Sequence, residues 1–287
     1  MITNEQIPEF YDWLSRYVQV SNWLAYRDRF AGFTMHKRLD VPGTAGSRAA
    51  GLRYVNEHVL EVARGAGLPA DPRVLDAGCG FGGTTFHWQR ATGGRYDGLT
   101  LSKVQVRVAE RQARRRGIEH ACTFTRRSYD APIERDYDAV VAIEALIHSA
   151  DLHRTVANLA GAIRPGGLLL VLDDMATADL DAVRPAEAGL LRSHWGCARY
   201  HTGERFRAAI AQSGLALLVD EDLSPLMRPR PRADLDRLER IYARAHRLVG
   251  VRPVRTVVSA FLGGIALERL HASGDVEYRL LVARSST

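Results

Sequence analysis

The sequence predicts an α/β fold: seven strands in a mostly parallel sheet with helices on both faces, a helical cap before the sheet, and a helical insertion ahead of the last strand. Three observations predict it. The stretch 73–84, Arg-Val-Leu-Asp-Ala-Gly-Cys-Gly-Phe-Gly-Gly-Thr, runs from a short apolar strand through a glycine-rich turn into a helix start. Between 96 and 172, strand-length apolar runs alternate with helix-length amphipathic segments, the pattern of repeated strand–helix units. Before residue 70, aromatic side chains recur at three- and four-residue spacing instead, which is helical.

The cap covers 1–70. Phe10, Trp13, Leu14 and Tyr17, then Trp23, Tyr26, Phe30 and Phe33, make an apolar helical stripe. Residues 42–47 (Pro-Gly-Thr-Ala-Gly-Ser) form a loop, 49–66 a second helix, and 67–72 lead into the core. The core covers 71–222. Val74 and Leu75 mark its first strand and 84–90 its first helix. The second strand is 96–99, followed by a helix over 102–116 that Ser102 is placed to cap. The third strand is 122–125, with a loop at 127–130. The fourth, 137–143, alternates little and is therefore expected to be covered on both faces. A helix over 151–163 is stopped by Arg164-Pro165-Gly166-Gly167. The fifth strand, 168–172, leads into Asp173-Asp174. A variable connection over 176–200, a helix over 202–212 capped by Thr202, and a sixth strand over 214–220 follow. The insertion, 223–275, holds helices at 233–249 and 256–271, and the alternating run 276–283 supplies a seventh strand within 276–287. No internal repeat or long linker divides the chain, so one folded unit is expected.

The totals exclude several classes. At 287 residues, 46% hydrophobic and 25% charged, the chain is ordinary for a globular protein. Its first six residues lack a signal-peptide pattern, and its longest apolar run, 257–267, falls short of the roughly 20 residues a membrane span needs. A cytoplasmic protein without membrane contact is the expectation. Three unclustered cysteines (79, 122, 197) argue against a disulfide framework and a zinc cage, and His153, His194 and His201 lack ligand spacing, so no metal is expected. The net charge is +6, with Lys37 and Lys103 the only lysines. Arg111, Arg114, Arg115 and Arg116 sit at a helix C-terminus, where cations suit the macrodipole; Arg228, Arg230 and Arg232 form a second cluster. No nucleic-acid partner is expected from either.

Glycine at 78, 80 and 82 lets the backbone turn sharply and approach a ligand closely. Alone, Gly-x-Gly-x-Gly serves equally a dinucleotide or a plain turn. The wording Val-Leu-Asp-Ala-Gly-Cys-Gly-Phe-Gly-Gly resembles the first motif of class I S-adenosylmethionine (SAM)-dependent methyltransferases, whose core is Rossmann-like. Residues 98–105 (Gly-Leu-Thr-Leu-Ser-Lys-Val-Gln), 143–148 (Ile-Glu-Ala-Leu-Ile-His) and 164–167 are similar to the branch that methylates sterols, tocopherols and other small natural products. Phe10-Tyr11-Asp12, with Trp23 and Met35-His36, resembles the segment that covers SAM in that branch. The resemblance implies SAM as cofactor, held by Asp76, Gly78, Cys79, Gly80 and Gly82, by Thr100, Leu101 and Gln105, and by Ile143, with Tyr129 and Asp130 beside the adenine. An acidic residue usually ends the second strand in this fold; Thr100 stands there, and Asp97 comes early. The resemblance also places the last strand antiparallel at the end of the sheet.

Methyl transfer is an in-line attack that asks for alignment and, where the acceptor carries a proton, for a base. His148 is the candidate base, with Glu144 four residues earlier. That spacing puts both on one face of a helix, where the carboxylate would raise the imidazole pKa. The segment also resembles that of phosphoethanolamine methyltransferases, whose histidine pairs with a tyrosine from the N-terminal helix; Tyr11 is that residue here. A structural role for His148 in the turn at 149–151 is the other reading. Trp195 and 256–267 are placed to line a pocket for a small-molecule acceptor. Other SAM chemistry (aminocarboxypropyl transfer or cyclisation releasing methylthioadenosine) stays open, as does a homodimer. A nucleic-acid methyltransferase is disfavoured because Asn/Asp-Pro-Pro-Tyr/Phe is missing after the fourth strand, and a non-catalytic SAM-binding regulator because a roof over the site suits chemistry.

Overall fold

The computed structural model describes residues 4–25, 34–41, 47–134, 136–197 and 199–286. Tyr26, Phe30, Phe33, the Trp23 side chain and loop residues 42–46 lie outside them. A helix forms where the aromatic residues recur: α1 spans Ile7–Ala25, burying Ile7 and Phe10 and leaving Tyr17 and Val20 at the surface. α2, Arg48–Gly65, starts at its cap Ser47 and buries Val55, Val59 and Ala63, one residue per turn on a single face.

β1 (Arg73–Ala77), α3 (Gly83–Thr92), β2 (Arg95–Thr100), α4 (Lys103–Arg116), β3 (Cys122–Arg126) and β4 (Tyr137–Ile143) follow the expected alternation. Ser102 caps α4, its hydroxyl accepting the Gln105 N–H, and Gly117 ends that helix in the left-handed conformation. α5 (Leu152–Gly161) is capped by Asp151. β5 (Ile163–Ala176) is longer than the apolar run predicts. Ile163 already pairs with Tyr137, residues 164–167 bulge out, and Leu168 resumes against Ala139. Its far end is extended because a later strand pairs with it as far as Ala176.

The connection after β5 is not irregular: it holds α6 (Leu180–Val183) and α7 (Pro185–Trp195). α8 (Gly203–Gln212), capped by Thr202, and β6 (Leu215–Asp222) come next. α9 (Arg232–Leu248) and α10 (Arg252–Ser273) make the inserted hairpin, and β7 (Val276–Ser285) completes the sheet.

The strand order is β3-β2-β1-β4-β5-β7-β6. β7 runs antiparallel to both neighbours, while the pairs among β1 to β5 are parallel. The expectation that β7 would lie at the end of the sheet needs correction, because it sits one place in and β6 takes the edge. β7 alternates its burial partners accordingly: Leu280 and Val282 pack with Val55, Val59 and Trp88 on one face, Leu281 and Ala283 with Val156, Phe206 and Ile210 on the other. Strand order reverses between β1 and β4, and the crevice at their C-terminal ends is where open sheets bind ligands.

Candidate active site

A cavity of about 390 Å³ occupies that crevice, within the size range of small-molecule sites. Its floor is the loop after β1. Gly78, at φ +88°, passes so close to the segment after β4 that a Cβ there would lie 2.5 Å from that of Ala145. The N–H groups of Gly78 and Cys79 both donate to the Leu99 carbonyl at 2.9 Å. What the loop offers the cavity is therefore the bare Cα faces of Gly78 and Gly80 rather than those two N–H groups.

Beside the floor, Thr100, Leu101 and Gln105 line the wall. The Thr100 hydroxyl donates to Gln105 Oε1 at 2.5 Å, and Gln105 Nε2 donates to Met35 Sδ at 3.2 Å, so the amide is held rigidly. Ile143 and Tyr129 also line the cavity; the Tyr129 hydroxyl donates to the Ala145 carbonyl at 2.8 Å.

Four of the expected cofactor residues do not reach the lining. Asp76 is buried in β1, where it accepts the Thr85 hydroxyl at 2.7 Å, and burial pushes its pKa up to about 6. The Cys79 thiol packs toward Gly98 on β2, and burial raises its pKa well above the usual thiol value. Gly82 starts α3 against Phe124 and Phe86, and Asp130 turns outward to accept the Thr155 hydroxyl.

Over the floor lies α1. Its Tyr11 hydroxyl meets His148 Nε2 at 2.8 Å, with the two rings edge to face at 5.4 Å. Burial pushes the His148 pKa down to about 4, and burial, with Asp173 and Glu144 nearby, raises that of Tyr11. The expected pairing of Glu144 with His148 is not present, and the imidazole pKa is lowered, not raised. Glu144 adopts φ +50° and the short 3₁₀ turn begins only at Leu146, so the two side chains never share a helical face.

Glu144 instead joins a buried ionic cluster. Its Oε1 accepts the Lys37 N–H at 2.7 Å and the Tyr278 hydroxyl at 2.9 Å, and its Oε2 lies 3.3 Å from Lys37 Nζ. Lys37 Nζ also meets Asp174 at 2.5 Å, and His271 Nε2 meets the other Asp174 oxygen at 2.8 Å. Burial alone would raise the Asp174 pKa, but Lys37 and His271 hold it down to about 2. Asp173 accepts the N–H groups of Leu146 and Asp174; burial and the Asp174 charge push its pKa up to about 7. Sequence reading missed this cluster as a unit. Two adjacent carboxylates ending an otherwise apolar strand, and one of only two lysines, were the available signals.

The remaining lining is apolar: Phe10, Leu14 and Tyr17 from α1, Ile147, and, as expected, Trp195, Ala260 and Phe261. Trp195 packs closely against Gly263, its indole N–H donating to the Ala260 carbonyl at 2.9 Å. His201 and His194 hydrogen-bond Ser149 and Ser259 outside the cavity. Among the described residues no group of three metal-ligating side chains gathers.

Residues 75–169 match the family described as "Methyltransferase domain". The chain is 31% identical over 165 residues to methyltransferase GfsG of Streptomyces halstedii, covering 56% of this chain and 59% of that one. It is 28% identical over 173 residues to a sterol 24-C-methyltransferase of Eremothecium gossypii, covering 58% and 46%. The chain thus spans about half the length of these curated relatives. Geranyl diphosphate C-methyltransferase from Streptomyces coelicolor, crystallised with S-adenosyl-L-homocysteine, superposes with a TM-score of 0.73 at 19% identity over 98% of this chain and 96% of that one. Matched domain, strand order and glycine floor agree: residues 75–169 match a methyltransferase domain, and the fold is that of the class I enzymes.

Proposed function

We propose that the protein transfers a methyl group from SAM to a small, largely apolar acceptor, with Tyr11 and His148 beside the reacting centre. One observation carries this reading: a single cavity joins a bare glycine floor to an apolar chamber, and the Tyr11–His148 pair lines it too. The residues fit SAM. Gly78 and Gly80 line the cavity without side chains, so a ligand can lie against the backbone there. Thr100 and Gln105 supply polar groups for a ribose, and Tyr129 an aromatic edge for a base. Glu144 and Asp174 set two carboxylates against Lys37, with Asp173 beside them, a field that suits a sulfonium. When bound, SAM supplies an electrophilic methyl group on a positively charged sulfur.

His148, neutral above about pH 4, accepts the Tyr11 proton at Nε2. Tyr11 keeps its own proton at neutral pH and can pass it to Nε2 while taking one from an acceptor hydroxyl or amine. The apolar side chains orient the acceptor and exclude water. Sterols and geranyl diphosphate, named for the relatives, set the size class of acceptor to try first.

Calorimetry with SAM and S-adenosylhomocysteine should give saturable binding. With a panel of apolar alcohols, amines and prenyl compounds, S-adenosylhomocysteine should appear as product. Tyr11→Phe should lower kcat roughly 10²–10⁴-fold with little change in SAM affinity. No saturable binding, or methylthioadenosine as the product, would overturn the reading.

A further inference from the structure

The inserted hairpin carries a dense run of arginines. Residues 228–256, which hold α9 and the start of α10, carry nine arginines against three carboxylates, and of the nine Arg228, Arg230 and Arg252 pair with Asp40, Glu268 and Glu9 outside the segment. The carboxylates of α9 itself do not offset the arginines on its outer side. Asp236 and Glu239 both turn to Arg269 of α10, at 2.6 and 2.5 Å. Arg237, Arg240, Arg244 and Arg247 remain exposed on the outer side of α9 without an ion pair among the described residues. Between and beyond them stand aliphatic side chains in water: Ile241 is 52% exposed, Leu248 74%, Val251 60% and Val254 49%. Arg237, Ile241, Arg244 and Leu248 follow one another at helical spacing, so cation and aliphatic group alternate along a single stripe.

This face adjoins the mouth of the cavity. Tyr242 of α9 stacks on Phe261 at 5.0 Å and 7°, and Tyr17 of α1 meets the same ring edge-on at 5.8 Å. Tyr17 and Phe261 both line the cavity and are partly exposed, so its apolar end opens beside the stripe. Val20, also on α1, adds 59% exposed aliphatic surface. Among the described residues no helix is long and apolar enough to cross a membrane.

We propose that the outer face of α9 and the α9–α10 tip dock on the surface of an anionic lipid bilayer. Charge complementarity selects that occupant: arginines attract anionic headgroups and can extend their stems along the apolar boundary, while the aliphatic tip enters it shallowly. A protein partner would more typically be met by exposed aromatic anchors, and the aromatic residues here are stacked on one another instead. Docked this way, the cavity mouth faces the lipid, and an apolar acceptor reaches Tyr11 and His148 without crossing water. That last step rests on the methyl-transfer reading; the docking does not.

The test is co-sedimentation of the full chain with phosphatidylglycerol-containing vesicles and with pure phosphatidylcholine vesicles, with SAM affinity measured on the same samples. Wild-type protein should pellet with the anionic vesicles only, and release as salt rises. Arg240→Glu/Arg244→Glu/Arg247→Glu should weaken binding at least roughly ten-fold. Leu248→Ser/Val251→Ser should weaken it several-fold, most visibly at high salt. Both variants should keep wild-type melting temperature and SAM affinity, since neither alters the cavity. The proposal falls if wild-type protein ignores anionic vesicles or if both variants bind like wild type. It falls equally if, without vesicle binding, Leu248→Ser/Val251→Ser converts a dimer to a monomer, or an acidic protein binds the stripe. Loss of SAM affinity in wild-type protein would count against methyl transfer and leave the docking result to stand alone.

Discussion

Asp173 is the residue whose surroundings conflict most. Its carboxyl is buried beside an ionised Asp174, and two backbone N–H groups and the nearby Lys37 charge offset this only in part. The native state therefore holds a proton up to about pH 7 that the unfolded chain releases near 4. A group whose folded pKa is raised contributes stability that is complete below the unfolded pKa and is lost as pH rises through the folded one. Asp173→Asn keeps the shape and removes the titration. In urea unfolding from pH 4 to pH 8, wild type should lose stability relative to Asp173→Asn, on the order of 1.4 kcal/mol per pH unit within that window at most. Parallel curves would show that the carboxyl is ionised throughout. His148 acts in the opposite sense in both proteins: with its pKa lowered to about 4, it favours the fold as pH rises toward 6.5, and so cancels in the comparison.

At the scale of elements, the position of α1 decides whether Tyr11 reaches His148. Glu9 ties it to Arg252 of α10, and Asp12 ties it to α4 beside the cavity. Asp12 Oδ1 accepts the Ser102 hydroxyl at 2.6 Å and the Val104 N–H at 3.2 Å, at the N-terminus of α4, where the helix dipole favours an anion. The same α4 terminus presents Thr100 and Gln105 to the cavity, so one contact ties roof to wall. Asp12→Ala should cost about 1 kcal/mol of stability, raise KM for SAM, and lower kcat as Tyr11 drifts from His148; Asp12→Asn, which keeps an acceptor oxygen, should recover part of each. Unchanged kinetics in Asp12→Ala would mean that packing alone holds α1. The sequence made some of this legible and hid the rest for a physical reason. Ser102 and Thr202 announce their caps because capping acts over three residues, and the strand–turn–helix at 73–84 is likewise local. Asp12 meeting Val104, and Glu144 meeting Lys37 and Tyr278, join residues 92 to 134 positions apart, and no spacing rule reports such pairs. Glu144 illustrates the opposite error, because a helical period was read into a segment that turns through a left-handed residue.

For the molecule as a whole, the topology sets the floor and the additions to the sheet set the roof. The reversal of strand order between β1 and β4 opens the crevice, while α1 and α10 contribute the apolar side chains above it. β7, returning between β5 and β6, brings Tyr278 beneath Glu144 and so links the inserted hairpin to the floor. A ligand bound in that cavity touches elements distant in sequence and should stabilise them together. S-adenosylhomocysteine at 100 times its Kd should add about 2.7 kcal/mol, which for a chain of this size raises Tm by about 4–5 °C. Hydrogen exchange should slow in α1 and at the start of α4 along with the loop after β1, because α1 closes over the ligand through Asp12. Protection confined to the loop after β1, with α1 exchanging as before, would mean that the helix does not close the site, and the role of Tyr11 would fail with it.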